Sequence, residues 1–190
     1  FPYSVYGTQM DNSAIKVPSR SSEGAISWKD CDTVGSSESG FIAVRPDDPN
    51  IIYSGANGSA PGGGGVQLRY DMRTRQTRNI HPWPDDRSGS PVKDIPNRFY
   101  FTYPIILSPH NPDTLYCAGQ FVYRSHDEGT SWERVSPDLT RNDQSKMQEI
   151  SGGPLSTDSG GTADYSGVIF AFAESPREEG VLWAGTDDGL

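Results

Sequence analysis

Apolar residues in this chain fall in short clusters separated by Gly, Pro, Asn and Asp. The clusters Phe41 to Val44, Tyr103 to Leu107 and Val168 to Ala173 are too short for amphipathic helices and are bounded by turn residues, the pattern of β-strands. Each leads into the same kind of phrase: a proline, a polar turn, a second apolar run holding one aromatic, then small residues. The phrases are Arg45-Pro46-Asp47-Asp48-Pro49-Asn50-Ile51-Ile52-Tyr53-Ser54-Gly55, Ser108-Pro109-His110-Asn111-Pro112-Asp113-Thr114-Leu115-Tyr116-Cys117-Ala118-Gly119 and Ser175-Pro176-Arg177-Glu178-Glu179-Gly180-Val181-Leu182-Trp183-Ala184-Gly185. A truncated copy, Val5-Tyr6-Gly7-Thr8, opens the chain. The pattern predicts strand, proline-containing turn, strand. After the second phrase, Phe121 to Ser125 and Trp132 to Val135 predict a third and a fourth strand. Leu139 to Ile150 is polar without a 3.6-residue period and reads as a long loop, as do Gly58 to Gly65 and Arg87 to Pro96.

The matched aromatics Tyr6, Tyr53, Tyr116 and Trp183 are 47, 63 and 67 residues apart. A repeat of this length with four antiparallel strands per unit is the blade of a β-propeller. The expected fold is therefore all-β: a partial β-propeller of four-stranded antiparallel blades, about three to four blades of a larger ring. Residues 1–190 form a single propeller segment, with blades at roughly 1–40, 41–100, 101–165 and a truncated 166–190. A ring hides its strand edges only when closed, and rings need at least about four blades. This sets the expectation of a piece of a longer polypeptide whose remaining blades are its first partners. The opening Phe1-Pro2-Tyr3, without a signal peptide, fits the same expectation.

Composition sharpens this picture. Gly (21) and Pro (15) are abundant, which favours turns over long helices. A net charge of −9 disfavours nucleic acid and anionic membrane surfaces, because both require clustered Lys and Arg. The longest apolar run, Val168 to Ala173, is far short of the roughly 20 residues of a membrane helix. Cys31 and Cys117 are too few for a disulfide framework, and their pairing stays open.

One motif carries a mechanism. Ser125-His126-Asp127-Glu128-Gly129-Thr130-Ser131-Trp132 fits S-x-D-x-G-x-x-W, the Asp-box. Ser125 and Asp127 would satisfy turn backbone, Gly129 would supply a positive φ, and Trp132 would pack beneath the hairpin. The motif reports a fold rather than catalysis. With it in place the chain resembles the sortilin-like, BNR/Asp-box β-propeller proteins often labelled glycosyl hydrolases. The resemblance is carried by Phe1-Pro2-Tyr3-Ser4-Val5-Tyr6-Gly7-Thr8-Gln9-Met10-Asp11-Asn12, Ser136-Pro137-Asp138-Leu139-Thr140-Arg141-Asn142-Asp143, Ser151-Gly152-Gly153-Pro154-Leu155, and Glu174-Ser175-Pro176 followed by Gly185-Thr186-Asp187-Asp188-Gly189-Leu190. It implies a large exported propeller protein, hence an extracytoplasmic or secreted location, with this segment from its interior. Sialidases usually carry several Asp-boxes; the single copy here argues against sialidase activity.

Two readings of the chemistry follow. A glycoside hydrolase, sialidase-like or xyloglucanase-like, needs two carboxylates roughly 5–10 Å apart across the scissile bond. The candidates near the mouth of a central channel are Asp11, Asp138, Glu174, Asp187 and Asp188. Asp187 and Asp188 are adjacent and on a strand would point to opposite faces. Each of the five can equally be a turn or cap carboxylate. Arg98 and Arg141, beside motif words, are candidates for holding an anionic ligand or for salt bridges between blades. The other reading is a scaffold that binds peptide, protein or glycan at a channel mouth through exposed aromatics. Trp28, Trp83, Tyr100, Phe101 and Tyr103 are its candidates, Trp83 as platform or loop anchor and the last three as core. The preferred reading is the scaffold. The three histidines His81, His110 and His126 form no HxxxH pair and there is no CxxC, so no metal is expected. Gly62 to Gly65 lacks the Lys-Ser/Thr of a phosphate loop, no nucleophile elbow is present, and no cofactor is expected. Asn57-Gly58-Ser59 is a glycosylation sequon, and Asp47-Asp48 fits no EF-hand spacing.

Overall fold

The computed structural model describes residues 3–9, 12–35, 40–55, 67–84, 90–100, 102–147, 150–151, 167–187 and 189. Within them the chain is all-β. A three-stranded sheet runs β1 (Ser4–Gly7), β2 (Ile15–Pro18), β3 (Asp32–Thr33). A four-stranded sheet follows: β4 (Ile42–Val44), β5 (Ile51–Gly55), β6 (Gln67–Asp71), β7 (Gln76–Asn79). After the short β8 (Ser90–Pro91) comes a second four-stranded sheet: β9 (Ile105–Leu107), β10 (Leu115–Ala118), β11 (Val122–Ser125), β12 (Glu133–Arg134). β13 (Ile150–Ser151) pairs with β8, and β14 (Ile169–Glu174) pairs with β15 (Leu182–Thr186). All these ladders are antiparallel, and in the larger sheets neighbours in sequence are neighbours in space.

The proline phrases make three hairpins on one plan. Arg45 donates its N–H to Ile51 C=O (3.0 Å), Ser108 to Thr114 (2.9 Å) and Ser175 to Val181 (2.8 Å). In two of them a serine closes the turn. Ser108 Oγ accepts from His110 and Asn111 N–H, and Ser175 Oγ accepts from Arg177 and Glu178 N–H. Such local bonds give turn backbone a partner that sheet pairing cannot supply.

The sheets stack in chain order because each strand alternates its side chains between two neighbours. On β5, Ile51 and Tyr53 join Ile105, Leu115, Cys117 and Tyr123 of the next sheet. Ile52 turns the other way, toward Tyr6, Ala14 and Val34. On β10 the alternation repeats, with Tyr116 and Ala118 turned toward Ile169 and Phe172 of β14. Burying each such aromatic stabilises the stack by about 1.5–3 kcal/mol. The aromatics Tyr53 and Tyr116 thus point to the following sheet. Tyr53 is 1% exposed and Tyr116 3%, whereas Trp183 on β15 is 63% exposed.

Two stretches that read as loops hold more order than their polarity suggests. Arg87 to Pro96 contains β8 and a 3-10 turn at Val92–Asp94; Leu139 to Ile150 contains a 3-10 turn at Gln144–Lys146. They lean on each other: Val92 and Met147 are buried together, and Lys93 N–H donates to Met147 C=O (3.1 Å). The contact joins residues far apart in sequence, so no local period announces it. Gly58 to Gly65 lies outside the described residues. No helix among the described residues is long and apolar enough to cross a membrane.

Candidate functional site

Arg98 and Asp138 meet where four chain segments converge. Arg98, 6% exposed, precedes β9; Gln120 joins β10 to β11; Asp138 and Thr140 follow β12; Gly167 precedes β14. The guanidinium donates from Nε to Gly167 C=O (3.1 Å) and from Nη2 to Asp138 Oδ2 (3.0 Å) and Thr140 Oγ1 (3.3 Å). Gln120 Nε2 donates to the same Oδ2 (3.2 Å), and Gln120 Oε1 accepts from Arg98 N–H (2.7 Å). Asp138 Oδ1 accepts from Thr140 N–H (2.9 Å) and Oγ1 (2.7 Å). Both oxygens of Asp138 therefore already hold two donors each, the full capacity of a carboxylate. Glycines make room for this convergence. A Cβ on Gly119 would lie 2.1 Å from Arg98 C=O, and one on Gly167 (φ +68°) would lie 2.4 Å from Met147 Cε.

The other candidates lie elsewhere. Exposed Asp187 caps the start of β14: Oδ2 accepts from Gly167 N–H (2.9 Å) and Oδ1 from Val168 N–H (3.1 Å). Glu174 is buried at the end of β14, where Oε1 accepts from Gly180 N–H (2.8 Å). Its Oε2 is buried without a hydrogen-bond partner among the described residues, and its charge raises the pKa of Tyr116 after desolvation. Arg141 is exposed, and its charge helps hold the Asp143 carboxyl below its usual range, behind the larger effect of hydrogen bonds from Ser145. Trp83, 38% exposed, donates its backbone N–H to His81 Nδ1 (3.0 Å). Trp28 is 80% exposed, Tyr103 is buried and Tyr100 packs on Phe170 with ring centroids 4.4 Å apart. Asp11, Asp188 and Phe101, with the Asn57 sequon and Gly62 to Gly65, lie outside the described residues.

The Ser125–Trp132 turn joins β11 to β12 and docks on the preceding sheet. Ser125 Oγ accepts from Gly129 N–H (2.9 Å) and donates to Asp127 Oδ1 (2.8 Å). Asp127 accepts from Ser131 N–H (2.8 Å) and Oγ (2.6 Å). Those Ser131 bonds bring the Asp127 carboxyl down to about 2. Glu128 (φ +58°) and Gly129 (φ +77°) turn the backbone, and a Cβ on Gly129 would meet Ile80 at 2.7 Å. Trp132 is half-buried and donates Nε1–H to Ile80 C=O (2.7 Å).

Charge completes the docking. Arg69 Nε donates to Glu128 Oε2 (2.7 Å), and Arg78 donates to Glu128 C=O (2.9 Å) and Thr130 Oγ1 (3.0 Å). Arg45 bridges Asp47 (2.8 Å), Asp113 and Glu128 (3.6 Å). Sequence reasoning did not find this network or the Gln120–Thr140–Gly167 shell around Arg98. The available signal was the repetition itself, since Asp113 stands in the phrase where Asn50 stands in its predecessor.

Two open surface cavities, of about 440 and 390 Å³, border β3, β6 and β7 and the Glu128 turn; neither is lined by Asp138, Glu174 or Asp187. Among the described residues no cluster of three or more His, Cys, Asp or Glu could hold a metal ion. Cys31 and Cys117 are both free thiols, the second fully buried with its pKa pushed well up by desolvation. No protein-family model matches the chain, and no curated protein is significantly similar to it in sequence.

Proposed function

We propose that this chain is a section of a β-propeller of the sortilin-like, BNR/Asp-box kind, acting outside the cytoplasm as a scaffold for peptide, protein or glycan. Support for the propeller comes from the antiparallel sheets stacked in chain order and from the Ser125–Trp132 turn wedged against its neighbour. The observation that carries the scaffold over the hydrolase is the state of the carboxylates. Asp138 spends all four acceptor positions on Arg98, Gln120 and Thr140, and each oxygen of Asp187 is committed to one backbone N–H group. A general acid or nucleophile needs a carboxyl oxygen facing substrate. The glycoside hydrolase reading keeps one supporting observation, the buried Glu174 Oε2 that has no hydrogen-bond partner among the described residues.

The test sets binding against turnover. The protein is assayed on glycan and peptide arrays and, in parallel, for release of reducing sugar from β-glucans, xyloglucan and sialylated glycans. The scaffold reading expects saturable binding without turnover. Sugar release abolished by Glu174→Gln, in a variant that keeps its circular dichroism, overturns it in favour of the hydrolase.

A further inference from the structure

We propose that the cleft between β3 and the β6–β7 hairpin holds one saccharide unit of a neutral glycan, its ring against Tyr70 and its hydroxyls shared between Asp32 and Arg75. The proposal gives the scaffold read above a ligand class and a place, and it rests on that reading. The cleft measures about 440 Å³, within the roughly 300–1,000 Å³ typical of small-ligand sites. Tyr70 and Met72, both half-buried, give it an apolar surface. Thr33, Thr77, Asp32 and Arg75, all exposed, give it hydroxyls and one charge of each sign.

Two charges that the fold leaves unused carry the inference. Four arginines stand on β6, β7 and the turn between them. Arg69 binds Glu128 (2.7 Å), Arg73 binds Asp71 (3.1 Å) and Asp48 (3.0 Å), and Arg78 binds Thr130 Oγ1 (3.0 Å) and Glu128 C=O (2.9 Å). The fourth, Arg75, lines the cleft and has no side-chain hydrogen bond or ion pair among the described residues. Across the cleft the same contrast recurs. Asp30 accepts from Ser27 N–H (2.8 Å) and Ser21 Oγ (3.4 Å), whereas Asp32 has no such partner among the described residues. Arg75 also sits at φ +57°, in the left-handed region that glycine occupies without strain. Glu128, at φ +58°, offsets the same strain by holding Arg69; Arg75 makes no comparable bond. The hairpin thus keeps a side chain that its backbone disfavours and that no group of the protein engages.

The chemistry of the cleft selects the ligand. One carboxylate and one guanidinium cancel, so an anion gains little there, and a single carboxylate is too few ligands for a metal ion. A peptide anchor needs a deep apolar pocket, which half-buried Tyr70 and Met72 do not form. A neutral sugar uses every group present: Asp32 accepts from hydroxyls, Arg75 donates to them, and the phenol ring covers the C–H face.

The probes are cellotetraose, mannotetraose and chitotetraose, titrated calorimetrically into the whole chain. Cys31 lines the same cleft and reports occupancy through its rate of alkylation by iodoacetamide. The expected result is saturable binding of at least one tetrasaccharide and slower alkylation of Cys31 at saturation. Affinity should fall about tenfold or more in Asp32→Ala and in Arg75→Gly, each losing a charged hydrogen-bonding partner, while both variants keep the parent melting temperature. Binding undiminished in both variants, or without effect on Cys31, overturns the cleft assignment and leaves the scaffold reading standing. The absence of saturable binding at millimolar tetrasaccharide also overturns the assignment; if the glycan and peptide arrays are blank as well, the scaffold reading falls with it.

Discussion

Replacing Arg98 with Met keeps most of the side-chain volume and removes the charge and every donor. The change breaks the bonds to Gly167 C=O, Asp138 and Thr140 and leaves Asp138 Oδ2 with Gln120 alone. Breaking one partner of a fully buried ion pair costs about 3–5 kcal/mol. Here the Asp138 side chain keeps 24% of its surface in solvent, so water recovers part of the loss. A cost of about 2–4 kcal/mol follows, which in a domain of this size lowers Tm by about 4–16 °C. Asp138→Asn is milder, about 1–3 kcal/mol, because the amide oxygen still accepts from Arg98. The two residues touch, so the double variant should be less destabilised than the sum of the singles, by about 0.5–3 kcal/mol. Urea unfolding of the four proteins, followed by tryptophan fluorescence, gives the cycle, and thermal melts followed by far-ultraviolet circular dichroism give Tm. A Tm loss under about 1 °C for Arg98→Met, or strict additivity, would refute the structural assignment and return Asp138 to the pool of available carboxylates.

Other outcomes follow from single contacts. Gly119→Ala drives a methyl into Arg98 C=O, whose position is held by Gln120 N–H; it should cost about 1–3 kcal/mol or more, while Gly7→Ala, with nothing within 4 Å, should be nearly neutral in the same melts. The Asp127 carboxyl is depressed to about 2, so its contribution is complete above the usual carboxylate range and is lost as pH falls toward 2; the Ser131 amide resonance should titrate near 2, and a midpoint near 4 counts against the hairpin geometry. Thiol labelling of the native protein should modify Cys31 and spare buried Cys117, with both reacting in denaturant; equal native reactivity would contradict the burial of β10. Gly129→Ala, strained by φ +77° and by Ile80, should open the hairpin and expose Trp132, read as a red shift in its emission.

What the sequence determined by itself was local. Short apolar runs between Gly, Pro, Asn and Asp can be satisfied by strands and tight turns but not by helices, so the all-β character and the three proline hairpins were legible. The Ser125, Asp127 and Gly129 spacing likewise encodes a turn, because each bond closes within a few residues. Tertiary structure decided the rest. Whether Asp138 is a free acid or a spent acceptor depends on Arg98 and Gln120, 40 and 18 residues away. Polar stretches around Val92 and Met147 acquired order only by burying those two side chains against each other. The aromatics Tyr53 and Tyr116 are hidden because the next sheet packs on them, which nothing in their own phrases announces. Local bonds can be read from spacing along one strand of sequence; burial and the partners of a charge arise only when distant segments are brought together.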